Sequence, residues 1–414
     1  MTIPAETDVL IVGGGPAGAL LGALLARRGI DVVVVEKQHH LDRDFRGETL
    51  AAPSVVTLHK LGFGPALAEH GYLETTAVSM RMEGREVLTV DYGRFAGRTL
   101  PIDIPQPALI GIFNEAARRP NHHYLFGTGC TGLLEEDGAI KGAVFKQQGG
   151  ERFTIRARLV VGADGRFSKV RKEAGLSAHI QPMERDFVSF KLPRPAGWGN
   201  AAELVVDRDR HLVVLPTFPD FLRVGHNLPK RGFGELRKRG IEAFRDGIAA
   251  IDPRLRRPVD EHLLSWDDTG FLEIFTAEVD QWTRDGLVLI GDASHTCTPI
   301  LGQGVNLAIQ DVVTITPVIA AALARGARGG TVPAHVFDGF VATRKAHKSK
   351  VTGFQRMQEA ALAQHTPLGV ALRRLRFSTL NKLPLKYVMF EKVISVPHPV
   401  DPVDEQNAKA LVAS

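Results

Sequence analysis

Apolar positions along the chain follow two rhythms. Residues 8–12 form a short β-branched apolar run, residues 19–28 repeat their apolar positions at helical spacing, and residues 31–36 form a second apolar run. Strand, helix and strand within about thirty residues is the size of a βαβ unit. Residues 46–62 predict a loop entering a helix with Leu50, Val55, Leu58 and Leu61 as its apolar stripe, and residues 109–119 predict another helix. Residues 78–100 predict strands of a different character, alternating over 87–92, and residues 124–146 predict strands punctuated by five glycines. Buried strands are expected at 157–162 and 286–290, and each leads into a turn containing glycine and aspartate. Between them, residues 187–265 form a β-rich block, with strands at 204–206, 212–215 and 222–224 and a helix near 233–250; a long helix follows from about Val305.

Strands that end in glycine turns therefore return after each β-rich excursion. This order predicts an α/β protein with a discontinuous Rossmann-like nucleotide domain (1–75, 101–185 and 270–330). A β-sheet domain for the substrate (76–100 and 186–269) is inserted in it, and a helical region (331–414) closes the chain.

Composition narrows the class. A chain of 414 residues is longer than one hydrophobic core usually grows. With 44% hydrophobic and 23% charged residues, it has the balance of an ordinary globular protein. The start has no basic segment, and its apolar stretch is broken early by glycines; residues 312–324 carry threonines and Pro317. Neither pattern is that of a signal core or a membrane span, so a cytoplasmic protein is expected. Two distant cysteines, Cys130 and Cys297, speak against a disulfide scaffold or a metal site, and no metal is expected. The net charge of +5 comes from a late segment: residues 344–392 hold eleven Lys and Arg against Glu359 and Glu391, interleaved with leucines and aromatics. An amphipathic helix pair with a solvated basic face explains that pattern without nucleic acid; weak peripheral membrane contact is the second reading.

Three segments carry chemistry. Gly13, Gly15 and Gly18 form Gly-x-Gly-x-x-Gly after a strand and at the start of a helix. The first glycine makes the tight turn, the second lets backbone approach a pyrophosphate, and the third packs helix on strand. Pro16 and Ala17 open that helix, whose free N–H groups favour an anion. Glu36 ends the second strand, 23 residues after Gly13, where a carboxylate can accept from an adenosine ribose; Lys37 follows it. After the strand at 287–290, Gly291 allows a turn and Asp292 can bridge the hydroxyls of a ribityl chain, which flavins have and NAD lacks. Pro299, Gly302 and Gly304 then shape a loop that aims the amides around Gly304, Val305 and Asn306 at one locus. A helix N-terminus there would stabilise the negative charge of a reduced flavin. Asp164 and Gly165 make the third turn, again at the end of a buried strand.

In this order and spacing, the three motifs resemble the FAD-dependent aromatic hydroxylases, the para-hydroxybenzoate-hydroxylase-like flavoprotein monooxygenases, over about residues 7–325. The resemblance implies an FAD-binding domain in which Gly13, Gly15, Gly18 and Glu36 hold the ADP half and Asp292 the ribityl chain. It implies that Arg46 lies along the cofactor and that Asp164 takes part in both FAD and NAD(P)H use. Where relatives often carry an arginine, this chain has Gln106, a weaker cofactor contact; Cys130 joins the candidates on the cofactor's flank. The implied activity is NAD(P)H- and O2-dependent hydroxylation of an aromatic or polyketide-like small molecule through a flavin C4a-hydroperoxide.

In the β-rich block, Phe187, Phe190, Val214, Pro216, Phe218, Phe221 and His226 are candidates to line the substrate cavity; His226 could exchange a proton with a phenolic substrate, and its other reading is a surface or core histidine. His295 is expected to brace the flavin loop. Rival readings are a flavin-dependent halogenase, a prenyl-type flavin reductase and a non-enzymatic FAD-binding protein. Against the first, Trp198, Trp266 and Trp282 are isolated and form no Trp-x-Trp pair.

Overall fold

The computed structural model describes residues 3–41, 48–95, 97, 99–147, 149–327, 329–363, 366–394 and 399–412. Four strands, Leu287–Leu289, Arg152–Gly162, Glu6–Val12 and Val32–Val35, lie parallel in that spatial order, with His122–Leu125 parallel beyond the last. Val32–Val35 is buried along its whole length, which explains its unbroken apolar run: both faces of this sheet are covered. The helices Pro16–Arg27 and Gln303–Arg325 pack on each other and on this core. Gln303–Arg325 is long and apolar enough to cross a bilayer, but most of its apolar window is buried inside the molecule.

A hairpin, Thr128–Glu136 and Ala139–Gln147, extends the sheet antiparallel from Arg152–Gly162. The second sheet has seven strands in the order Thr269–Leu272, Arg185–Pro193, Phe221–Pro229, Arg210–Thr217, Ala201–Asp207, Ala77–Met82 and Arg85–Asp91. A parallel pairing of Ala201–Asp207 with Ala77–Met82 joins segments far apart in sequence. This sheet takes in Arg185 and residues 269–272, slightly wider than the boundaries expected at 186 and 269. One face buries Val188, Phe190, Leu212, Val214, Leu222 and Val224 beneath the helices Ile241–Ile251 and Arg256–His262. The other face looks onto a cavity.

Beyond residue 331, Asp338–Leu362 packs on Gln303–Arg325 and Pro367–Lys382 packs on the strand Arg85–Asp91. Pro402–Val412 returns to the first domain, where Ala408 lies against Gly62. Arg28 holds that return through Asp401 at 2.8 Å and Asp404 at 2.7 Å. On Pro367–Lys382, Phe377 and Leu380 pack inward, while Leu368, Leu372 and Leu375 are exposed.

Candidate active site

A cavity of about 840 Å³ separates the two sheets, toward the upper end of the range for small-molecule sites, about 300–1,000 Å³. At one end it meets the first glycine loop. Gly13 has φ +111°, and a Cβ there would lie 2.3 Å from the Ala163 carbonyl oxygen. At Gly18 a Cβ would lie 1.9 Å from the oxygen of Gly13, so this glycine serves the packing of helix on loop and does not line the cavity. Glu36 is buried, and its carboxylate accepts from the N–H groups of Gly14 at 2.9 Å and Gln38 at 3.0 Å. These two backbone donors fix the orientation of the carboxylate at the cavity wall. Lys37 is exposed at the rim.

Midway, the two aspartate turns are fastened together. Arg171, buried, donates to the carbonyls of Ala293 at 2.9 Å and Arg166 at 3.1 Å. Asp164 and Gly165 line the cavity. The Asp164 carboxylate itself accepts from Ser168 Oγ at 2.5 Å and from the N–H groups of Lys169 and Val170 at 2.7 and 3.0 Å. With Ser168 as N-cap of the short helix Lys169–Glu173, Asp164 takes the free N–H groups of its first turn and so braces this turn at the cavity wall.

Gly291 (φ +59°) turns the chain ahead of Asp292, and its N–H donates to Asp311 Oδ2 at 2.8 Å. Asp311 is fully buried and paired with Arg344 at 2.7 Å and Lys348 at 2.6 Å. Lys348 Nζ also reaches Ser294 Oγ at 3.1 Å and lies over the Trp282 ring. These two cations hold the Asp311 carboxyl below its ordinary pKa although burial pushes the other way. Nothing in the sequence marked this cluster, because its members lie on two helices more than thirty residues apart.

The loop at 299–306 runs through a 3-10 turn, Ile300–Gly302, into the helix Gln303–Arg325. Asn306 turns its side chain back: Oδ1 accepts from the Ala51 N–H at 2.8 Å and Nδ2 donates to the carbonyls of Gly302 and Thr49. Gln355 pins Thr298 at both its N–H and its carbonyl. His295 lies outside the cavity lining and pairs with Thr352 Oγ1 at 2.9 Å.

Pro16, Ala17, Gly15, Gln106, Cys130, Asp292, Pro299, Gly302, Gly304 and Val305 all line the same cavity. Cys130 and Cys297 both line it as thiols that burial pushes up to about 12. Arg46 lies outside the described residues. Among the described residues, no group of His, Cys, Asp and Glu is arranged to hold a metal.

The chain fits an FAD on its own features. The helices Pro16–Arg27 and Gln303–Arg325 begin on Gly15 and Gly302, neither with a side-chain cap, and both first turns face the cavity. Such N–H groups are normally satisfied by a cap or a ligand. A Cβ on Gly304 would meet nothing within 4 Å, so backbone there is open to a flat ring.

On the substrate side, the expectations separate. Phe187 and Pro216 line the cavity, whereas His226 and Phe218 do not. His226 stands opposite Leu212 and Val188 on the core face of the sheet, edge-on to Phe244 at 5.8 Å. Burial lowers its pKa to about 4. Phe190, Val214 and Phe221 also lie outside the lining; Phe218 packs on His70, at 5.5 Å between rings. The residues that do face the cavity are the alternate ones: His211, Val213 and Leu215 on one strand, Arg223 and Gly225 on the next. Arg223 and Lys191 hold the buried carboxylate of Glu48. The far wall comes from the C-terminal helices, through Phe354, Phe377, Leu380 and Phe390. A period-2 reading of residues 221–229 would have put His226 with Leu222, Val224 and Leu228, away from the site.

Comparison with known proteins agrees with this geometry. The sequence pattern described as FAD binding domain matches residues 6–354. The chain is 34% identical to the 6-methylpretetramide 4-monooxygenase of Streptomyces rimosus, over 92% of this chain and 90% of that protein. It is 24% identical to a 1H-pyrrole-2-carbonyl-[peptidyl-carrier protein] brominase of Pseudoalteromonas luteoviolacea, over 76% of this chain and 78% of that one. In fold it is similar to the p-nitrophenol 4-monooxygenase of Pseudomonas putida, with a TM-score of 0.78 at 20% identity, covering 94% of this chain and 99% of that one.

Proposed function

Because the chain belongs to the FAD binding domain family and is an FAD-dependent monooxygenase, we propose that it hydroxylates an aromatic or polyketide-like small molecule at the expense of NAD(P)H and O2. The balance is one substrate C–H, O2, NAD(P)H and a proton giving C–OH, water and NAD(P)+. When bound, FAD supplies the electron transfer and oxygen activation that no side chain here can perform.

The observation that carries this reading is the single cavity shared by the cofactor loops and the open face of the second sheet. Glu36 and the first turn of Pro16–Arg27 would hold the ADP half, Asp292 the ribityl chain, and the amides at 304–306 the flavin ring. Phe187, Leu215, Phe377 and Phe390 give the opposite side apolar and aromatic walls suited to a flat polycyclic substrate. Those walls also exclude water, which protects an oxygen-transferring centre from wasteful discharge. The extensive identity with a 6-methylpretetramide 4-monooxygenase supports a polycyclic polyketide as the substrate.

The test is a panel assay on FAD-loaded protein with 6-methylpretetramide and related polyphenols. Substrate-stimulated NAD(P)H and O2 consumption, with a product heavier by one oxygen atom, is expected. A product carrying bromine when bromide is supplied, or gaining two hydrogens without O2, would assign the chain to halogenation or to double-bond reduction instead.

A further inference from the structure

Beside the main cavity lies a small pocket of about 20 Å³ whose lining includes His211, Thr298 and Glu359. Roughly 10–15 Å³ and two to four polar partners are enough to hold one ordered water. Each of the three side chains has one buried polar atom without a hydrogen-bond partner: His211 Nδ1, Thr298 Oγ1 and Glu359 Oε2. Buried polar atoms are almost always satisfied, so three such atoms on side chains that line one water-sized space point to a shared partner.

The surroundings fix each group. Gln355 ties the Thr298 backbone at 3.2 Å and 3.0 Å and leaves the hydroxyl to the pocket. The His211 backbone N–H donates to Asn227 Oδ1 at 2.6 Å, and its ring stands edge-on to Phe187 at 5.5 Å. His211 and Thr298 also line the main cavity, Thr298 one residue before the flavin loop. Glu359, on the helix Asp338–Leu362, is half-buried, which gives an accepted proton a way out to solvent.

We propose that His211, an ordered water held by Thr298, and Glu359 form a relay that removes the proton from a phenolic or enolic hydroxyl of the substrate. The relay rests on the aromatic or polyketide reading above. The substrate O–H bond breaks and its electron pair stays on oxygen. The proton joins His211 Nε2, the proton on Nδ1 passes to the water, and a water proton passes to the Glu359 carboxylate. Substrate hydroxyl and carboxylate become substrate oxyanion and carboxylic acid; nothing is oxidised or reduced. The oxyanion feeds electron density into the ring, where oxygen transfer demands a nucleophilic carbon.

The electrostatics agree with this division of labour. Burial, with His226, Arg185 and Arg373 against Asp209, lowers the pKa of His211 to about 3, so its imidazole is neutral and passes the proton on without storing it. Burial and Glu184, against Arg185 and Lys230, raise Glu359 to about 7, which suits a proton acceptor near neutral pH.

Two measurements on the FAD-loaded full chain test the relay. A high-resolution crystal structure should show a water within hydrogen-bond distance of all three atoms; a dry pocket, or direct bonds among the three groups, overturns the proposal. Glu359→Gln keeps the shape and removes the acceptor. With the phenol that turns over in the panel assay, kcat should fall on the order of 10²-fold while KM stays within about twofold. The rise of the wild-type pH profile through about 7 should disappear. An unchanged profile, or a loss confined to KM, overturns the relay. A water at the three atoms in a protein that oxygenates no phenol would instead sink the function and, with it, the relay's substrate.

Discussion

At Gly18 a methyl group has nowhere to go, because its carbon would lie 1.9 Å from the Gly13 oxygen. Gly18→Ala must therefore push the loop off the helix, and the account predicts at least a roughly tenfold loss of FAD affinity by fluorescence titration. Gly234→Ala, where the added carbon meets nothing within 4 Å, should leave affinity unchanged and so serves as the control. Glycine requirements of this kind are written in the sequence itself, which is why the three turns were legible from one chain. The substrate side was not. His226 drew attention through its neighbours in sequence, yet strand alternation puts it in the core, and His211 on the adjacent strand faces the cavity. His226→Phe is accordingly expected to leave kcat within about twofold, whereas a catalytic acid or base would cost 10²-fold or more.

Between elements, the support of the Asp292 turn depends on Asp311 and on two cations from the helix Asp338–Leu362. Asp311→Asn leaves Arg344 and Lys348 buried without their carboxylate, and breaking a buried pair in this way costs about 3–5 kcal/mol. Chemical denaturation should show that loss, together with reduced FAD retention, because the Gly291 N–H loses a charged acceptor. Lys348 appears in sequence as one more charge in a basic stretch. Its burial comes from helix packing that no local pattern encodes. The same holds for the cavity wall formed by Phe377, Leu380 and Phe390: their amphipathic spacing announced helices, but not which sheet they would cover.

Across the whole molecule, acid should destabilise the fold. His122, His211, His226, His295 and His347 have folded pKa values of about 3 to 4, each lowered chiefly by burial. An unfolded histidine titrates near 6.5, so between that pH and about 4 the unfolded chain binds more protons and stability falls as pH falls. Asp103 and Glu359, raised by burial to about 6 and 7, act in the opposite sense. Five histidines against two carboxyls leave a net loss on acidification, visible as a falling Tm between pH 6.5 and 4. The order of strands and helices was legible at this scale, because Glu6–Val12, Arg152–Gly162 and Leu287–Leu289 each lead into a glycine turn; the pairing of residues 77–82 with 201–207 was not, since only the folded sheet brings them together. The functional consequences among these depend on an FAD lying between the two sheets. Titration of the purified chain with FAD, followed by flavin fluorescence, addresses that directly: quenching that saturates at one flavin per chain is predicted, and a chain that leaves the fluorescence of added FAD unchanged contradicts the account.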